Sequence, residues 1–433
     1  MHTKLLEFIK NSPSMFHAIN NFQSKLESLG FAELKESKPF RLIHGGKYFV
    51  TRNQSSIIAF TIAENLINYH YQIVASHSDS PTFKLKAAFD AADNDYTKLN
   101  VEAYGGMICS TWFDRPLSIA GRLLVNDNGH IHSKLVNLNR DLLIIPNLAI
   151  HFNREVNKGV AINNQVDMLP LFATGNKVNR LMELFATSVG EKDYDVIAHD
   201  LYLYTRTPAA IFGAENEFIA SPKLDDLECA FTSFEAFTQA EPKFGINLFC
   251  CFDNEEVGST SKQGANGTFL ADILKRINSA LGKSEEEFYQ ALAKSFMISA
   301  DNAHDLHPNH PESYDKENRC FMNGGPVVKF SANQKYTTDA VSAAIFKAIA
   351  KDAGVPTQNF ANRSDMAGGS TLGNLANTQV SMNTVDIGLA QLAMHSAYET
   401  AGAKDVEFMV QALKKFYASN INILSNTEFN ITY

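Results

Sequence analysis

Thiols, long apolar runs and excess positive charge are all scarce in this chain, and each scarcity closes off a class of protein. Five cysteines in 433 residues include no Cys-x-x-Cys pair: Cys109, Cys229 and Cys320 stand alone, and Cys250 adjoins Cys251. That excludes a disulfide-stapled scaffold and a structural thiolate metal site; reduced, mostly buried thiols fit a cytoplasmic protein. The longest apolar stretches, such as Ile73–Ala75 and Leu142–Ile145, fall far short of the roughly 20 residues that cross a bilayer as a helix, so no membrane partner is expected. The first residues interleave Lys4, Glu7 and Lys10 with apolar positions, which reads as an amphipathic helix and not as the unbroken apolar core of a secretory signal. Lysine and arginine number 38 against 47 aspartates and glutamates, a formal balance of −9. Such a chain is not expected to bind nucleic acid, which needs a basic patch to displace counterions. Taken alone, the same balance argues against acidic substrates.

The length suggests two or three folding units at roughly 100 to 200 residues each. Leu5, Phe8 and Ile9, then Ile19, Phe22, Leu26 and Leu29, recur at helical spacing before Gly30, predicting an amino-terminal helical layer with a glycine stop. From Lys47 the β-rich runs YFVTR, SSIIAFTIA and YQIVAS follow. A different texture occupies about Lys84 to Glu215, where GMICSTWF, SIAGRLLV, HIHSKLVNL and DLLIIPNLAIHF alternate with turn residues and YDVIAHDLYLYT closes the stretch. After Pro222 strands and helices alternate: helix LECAFTSFEAFTQA, strand GINLFCCFD, helix FLADILKRINSALG, strand SFMISAD, strand GPVVKFS, helix DAVSAAIFKAIAKDAG, and strand VSMNTVDIG leading into a helix LAQLAMHSAYETAG. The expected fold is α/β, with a mostly parallel sheet covered by helices on both faces. Residues 1–90 and 216–433 form its discontinuous main domain, and 91–215 an inserted β-rich domain.

Chemistry in such sheets gathers beyond the carboxyl ends of the strands. There YQIVAS runs into His77-Ser78-Asp79, NLFCCF into Asp253-Asn254-Glu255-Glu256, and SFMISA into Asp301; Asp225-Asp226 opens a helix and His395 lies inside the last one. Singly, each has a plainer reading: a hydrogen-bonded core histidine, acids at a helix start, a helix cap at Asp225. Together they suit a divalent cation, because imidazole and carboxylate are ligands for zinc and its neighbours. Asp79 sits two residues from His77 on an extended chain, on the same side, where it can orient the imidazole. Glu255 and Glu256 point different ways, so one can ligate while the other acts as general base. The tract with His304, His307 and His310 looks metal-binding, but Pro308 and Pro311 break any helix that would align the three. No Gly-x-Ser-x-Gly elbow marks a nucleophilic serine.

The motifs ASHSDSPTFKLK, STWFDRPLSIAGR, SPKLDDLECAF, DNEEVGS, SADNAHDLHPNHPESYD, GGPVVKF with YTTDAVSAAIF, NRSDMAGGSTLG and VDIGLAQLAMHSAYE follow one another from about His77 to Glu399. In this order they resemble the aspartyl aminopeptidases. The resemblance implies a dinuclear metallopeptidase, with two divalent ions, expected to be zinc, in each subunit. It further implies removal of amino-terminal Asp or Glu from peptides, and a homo-oligomer of dimers assembling to a dodecamer through the inserted dimerisation domain. It places one ion on His77 and Asp301, the other on Glu256 and His395, and Asp225 between them. It makes Glu255 the general base and Asp79 the residue that orients His77. His304, Lys329 and Tyr336 become substrate contacts, with His151 reaching from the insert into a neighbouring subunit. At the bridging motif this chain has Asp226, where some relatives carry Asn. A Lys329 ammonium facing the pocket is suited to a substrate carboxylate. Three ligand carboxylates against two divalent cations leave the implied pocket slightly positive, which reverses the inference drawn from net charge alone. Weighed against this reading are a related dinuclear dipeptidase or deacylase, and a non-catalytic shell protein of the same fold, which a broken ligand set would betray.

Overall fold

The structure, a computed structural model of the chain, describes residues 1–66, 68–93, 95–425 and 427–433. Helices α1 (His2–Lys10) and α2 (Met15–Ser28) open it. They bury Leu5, Ile9, Ile19, Phe22 and Leu26, and Gly30 leaves the second helix at φ +80°, as the periodicity predicts. Strands β1 (Ala32–Glu33), β2 (Lys47–Arg52), β3 (Ser56–Ile62) and β4 (Tyr71–His77) follow. Next come β5 (Thr82–Ala92), β6 (Tyr96–Tyr104), β7 (Leu117–Asp127), β8 (His130–Asn137), β9 (Leu171–Thr174), α3 (Arg180–Ser188) and β10 (Val196–Thr205). The chain continues through β11 (Ala210–Phe212), β12 (Phe218–Ser221), α4 (Leu224–Gln239), β13 (Ile246–Phe252), α5 (Phe269–Ala280), α6 (Glu285–Ala293), β14 (Phe296–Ala300) and β15 (Ala303–His304). It finishes with β16 (Val327–Phe330), α7 (Ala340–Asp352), β17 (Gln358–Ala361), α8 (Leu372–Gln379), β18 (Asn383–Gly388), β19 (Ala390–Leu392), β20 (Glu399–Gly402), α9 (Asp405–Tyr417) and the hairpin β21 (Asn420–Ser425) and β22 (Glu428–Thr432).

Nine strands form the main sheet in the order β1-β2-β3-β13-β4-β14-β18-β16-β17. Its centre, β13-β4-β14-β18, is parallel. On the flanks β1 with β2 and β16 with β17 are parallel too, while β2 with β3, β3 with β13, and β16 with β18 are antiparallel, so the sheet is mixed. A turn of only Asn53–Ser55 joins β2 to β3, and so short a link permits nothing but a hairpin. Helices cover both faces. Along β13, Phe249 and Cys251 pack with α2, α4, α7 and α9, while Leu248, Cys250 and Phe252 pack with α5 and α8, as a period of two dictates. Each such fully buried large side chain contributes on the order of 1.5–3 kcal/mol. Neighbouring Cys250 and Cys251 thus face opposite cores, and all five thiols are free.

A six-stranded antiparallel sheet, β8-β7-β10-β5-β6-β9, packs around its own core of Phe83, Trp112, Leu123, Phe185 and Leu201. It begins at Thr82, inside β5, directly after the residues that follow β4. Two stretches expected as strands here are not. GMICSTWF makes a single 3-10 turn at Cys109–Trp112, and DLLIIPNLAIHF keeps only isolated bridges, Leu117 to Leu143 and Ile144 to Leu171, before Pro146, which lacks the N–H a ladder needs.

The largest correction concerns LAQLAMHSAYETAG, which is not a helix. It forms β19, a loop and β20, two antiparallel strands of a third sheet, β11-β12-β20-β19-β15. Ala393 and His395 turn the chain with positive φ, +56° and +67°. The apolar spacing that mimics a helix arises because Leu389, Ala390, Ala397 and Ala401 are each buried against separate neighbours.

Candidate metal centre

Register brings the ionisable groups together. Phe252 of β13 lies opposite His77 of β4 and β14 pairs on the other side of β4. His77, the turn through Asp253–Glu256, and Asp301 therefore leave the sheet at one edge. Asp225 and Asp226 join them from the irregular first turn of α4, non-helical at both residues and following Lys223 at φ +58°; the Asp225–Asp226 peptide is cis. His395 arrives from the loop between β19 and β20, not from a helix.

The imidazole Nε2 of His77 lies 3.5 Å from Asp225 Oδ1 and 3.8 Å from Asp301 Oδ1. His395 Nε2 lies 3.4 Å from Asp225 Oδ2 and 3.3 Å from Glu256 Oε2. Asp225 thus turns one oxygen to each histidine. Two groups that could hold a cation result, His77 with Asp225, Asp226 and Asp301, and Asp225 with Glu256 and His395; a third combines His77, Glu255 and Glu256. The spacings exceed ordinary hydrogen bonds. They approach the roughly 3.3 Å expected between ligand atoms about 2.0–2.1 Å from one tetrahedral zinc. Asp225 Oδ1, Asp226 Oδ1 and Glu256 Oε1 are buried with no hydrogen-bond partner among the described residues, a costly condition for carboxyl oxygens unless a cation meets them. The donor set fits zinc.

Asp79 is the hub beneath. Its backbone carbonyl and Oδ1 lie 3.1 and 3.3 Å from His77 Nδ1, which leaves Nε2 free to face a metal. Its carboxylate also accepts the Tyr104 hydroxyl at 2.7 Å and the Glu255 and Glu256 N–H groups at 3.2 Å. Glu399, buried, accepts the N–H of Asp225 at 3.1 Å and of His395 at 2.8 Å, and Gly106 O accepts from His395 Nδ1 at 2.7 Å. Neither Tyr104 nor Glu399 is a candidate from the sequence; the Gly105-Gly106 pair and the carboxylate four residues beyond His395 are the only local marks they leave.

Without cations the cluster is crowded with negative charge. Burial pushes the Glu255 carboxyl up to about 8, with Asp301, Asp79 and Asp225 adding repulsion and His77 opposing. Burial and then Asp225 raise Glu256 far above the usual range. Asp226 rises likewise through burial, against the pull of His77, while its Oδ2 accepts the His77 N–H at 3.0 Å. Asp225 is held low despite its burial, because the His395 and His77 imidazoles face its two oxygens. Burial disfavours charge on His395, yet Asp225 lifts it to about 9.

The remaining sequence candidates divide. Lys329, on β16, is buried beside the cluster; its Nζ donates to the carbonyls of Asp301 and Asn302 at 2.8 and 3.0 Å and stands 3.7 Å from Asp301 Oδ2. Burial disfavours its charge, but Asp301 and other neighbours hold it firmly protonated. The Tyr336 ring lies 5.1 Å from that ammonium. His304, half-buried, sits edge-on to Phe360 in a cleft with Asn362 and Arg363. His151 is exposed in a turn of the six-stranded sheet's loops, outside the cluster.

An α/β sheet carrying a histidine–carboxylate cluster with a shared aspartate at its carboxyl edge defines a metal-dependent hydrolase. Residues 8–417 match the family of aminopeptidase I zinc metalloproteases (M18), and the chain belongs to that family; it is a zinc-dependent aminopeptidase. A probable M18 family aminopeptidase 2 of Clostridium acetobutylicum is 46% identical over 96% of this chain and 98% of its own. One from Pseudomonas aeruginosa is 40% identical over 96% and 97%. Among solved structures, a chain of a complex of Ape4 and Nbr1 superposes with a TM-score of 0.93 at 35% identity, over 96% of this chain and 85% of that one. The S. cerevisiae mApe1 dodecamer gives 0.84 at 27% identity, over 96% and 95%. Among the described residues no helix is long and apolar enough to cross a membrane.

Proposed function

We propose that this aminopeptidase removes amino-terminal Asp and Glu from peptides, with Glu255 as general base. The observation that carries the reading is the pair of Asp225 oxygens directed at His77 and His395, with Glu255 anchored beside them through the bond from its N–H to Asp79. His77, Asp225 and Asp301 would hold one ion, and Asp225, Glu256 and His395 the other; divalent cations bound there would supply polarisation of the scissile carbonyl and a more acidic water. Glu255 takes the proton of the attacking water and passes it to the leaving amine. Asp79 fixes that base and the His77 tautomer together. Lys329 supports the acidic preference: its ammonium is buried and stays charged, and a charge away from bulk water attracts a substrate carboxylate strongly. Tyr336 lies against it and His304 near it, as further substrate contacts.

We further infer that residues 91–215 form an inserted dimerisation domain on the main body of 1–90 and 216–433. Exposed Leu148, Ile150 and Phe152, the last 81% exposed, support a partner for the loop that carries His151, and a dodecamer in which His151 completes a neighbour's site. Free, mostly buried thiols support a cytoplasmic location. The reading is tested with Asp-peptides bearing free or acetylated amino termini: cleavage of the free form alone agrees with it, and release from the acetylated form points to a deacylase instead.

A further inference from the structure

His395 stands on a loop held from two sides, by Glu399 of its own sheet, which accepts the His395 N–H, and by the segment that follows β6. Between β19 and β20 the chain turns through two residues of positive φ, and three of the bonds that fix it come from one segment of the six-stranded sheet. Gly106 O accepts from His395 Nδ1 at 2.7 Å, the Ile108 N–H donates to His395 O at 3.0 Å, and Thr111 Oγ1 accepts the Ala397 N–H at 2.9 Å. The same segment reaches the other side of the cluster. Tyr104, the last residue of β6, donates to Asp79 and accepts from Asn254 Nδ2 at 2.8 Å. Gly105, at φ +77°, lies so close that a Cβ there would sit 3.1 Å from Glu256 Cβ and 3.3 Å from Glu256 O. Both ligands peculiar to the second ion, Glu256 and His395, are therefore braced by residues 104–111.

We propose that Tyr104–Thr111 is the positioning element of the Glu256–His395 metal site, so that this site keeps its metal only while the six-stranded sheet is docked against the main sheet. The inference rests on the proposed assignment of Asp225, Glu256 and His395 as ligands. Its physical basis is direct. The Gly106 carbonyl selects the tautomer that presents Nε2 to the ion, and the other two bonds set where the ring stands. His77 ends the central strand β4 and Asp301 directly follows β14; residues 104–111 reach His77 only indirectly, through the bond from Tyr104 to Asp79.

Cobalt(II) serves as the probe, titrated into metal-free protein and followed by its visible absorption. Wild type is expected to take up two equivalents. Gly105→Ala, which must displace Glu256, should keep one equivalent at native affinity and bind the second roughly 10- to 100-fold more weakly, with an altered spectrum for that ion. Thr111→Val, which keeps the shape and loses the hydroxyl that accepts from the Ala397 N–H and donates to Ile108 O at 2.7 Å, should weaken the second equivalent in the same sense, and Thr111→Ser, which keeps the hydroxyl, should bind it as wild type does. Gly129→Ala, an equally strained glycine at φ +92° in the β7–β8 turn with no neighbour near its Cβ, should leave both equivalents intact whatever it does to stability. Native binding of both ions by Gly105→Ala and Thr111→Val overturns the inference, as does loss of the second ion in Gly129→Ala. A wild type that binds a single ion instead overturns the ligand assignment beneath it.

Discussion

Asp79→Ala is the most exposing substitution, because one carboxylate joins the proposed base, both proposed ion sites and the six-stranded sheet. Removing it strips acceptors from the Tyr104 hydroxyl and from the Glu255 and Glu256 N–H groups, and the last charged neighbour from His77 Nδ1. A buried donor left without a partner costs about 1–3 kcal/mol. The turn at Glu255 and Glu256 is half-buried, so two to three effective orphans give roughly 2–9 kcal/mol. That is a large part of the about 5–15 kcal/mol that holds a typical domain folded. Asp79→Asn keeps one acceptor oxygen and should cost about half as much. In both variants zinc affinity should fall roughly 10- to 100-fold, the usual consequence of disturbing a group behind a ligating histidine. Urea unfolding of the metal-free proteins and competition titration with a zinc chelator measure the two effects. An Asp79→Ala protein within about 0.5 kcal/mol of wild type and with native zinc affinity would refute the reasoning.

Other perturbations separate the remaining roles. Glu255→Gln should retain metal and lose turnover by roughly 10²- to 10⁴-fold, as steady-state rates beside metal analysis will show; near-native turnover removes Glu255 from the chemistry. Mixed oligomers of Glu255→Gln and His151→Ala subunits should regain some activity through hybrid sites, and no recovery counts against sharing. Lys329→Ala should cut kcat/KM on amino-terminal Asp and Glu by roughly 10- to 100-fold, the worth of a hydrogen bond to a charged group, and spare neutral substrates; equal losses make the lysine structural. His17, bonded to Ser14 Oγ at 2.8 Å, is pushed down to about 4 by burial and then by Lys223. Its folded pKa is depressed, so its contribution to stability is full above about 6.5 and is lost as the pH falls toward 4, by at most roughly 1.4 kcal/mol per pH unit. Urea unfolding at several pH values should show a shallower decline for His17→Gln over that window, and parallel curves would exclude the histidine.

Much of the site is legible in the sequence because a parallel sheet converts strand order into proximity. His77, Glu255 and Asp301 each follow an apolar run, and any packing of those runs as neighbours in parallel gathers their ends. His395 is legible as a residue but not in its place: the spacing of Leu389, Leu392 and Ala397 suits a helix, and only the third sheet, built from β11, β12 and β15 far away in the chain, makes strands of it. Glu399 and Tyr104 leave almost no local signal, since both act on backbone N–H groups or on a carboxylate brought near by tertiary structure. The antiparallel flanks are hidden for a similar reason, as strand direction at β3 or β16 follows from connections and not from composition. Under the proposed function, net charge misleads when read as a surface average, because the buried acids of this site are the groups that cations would neutralise.

The central claim, a zinc-dependent enzyme selective for acidic amino termini, is tested most directly by adding zinc to metal-free protein while following release of amino-terminal residues from matched Asp- and Leu-peptides. The account predicts no release without metal, activity that saturates at two equivalents per subunit, and a clear preference for Asp. Equal rates on the two peptides, or full activity at one equivalent, would contradict it.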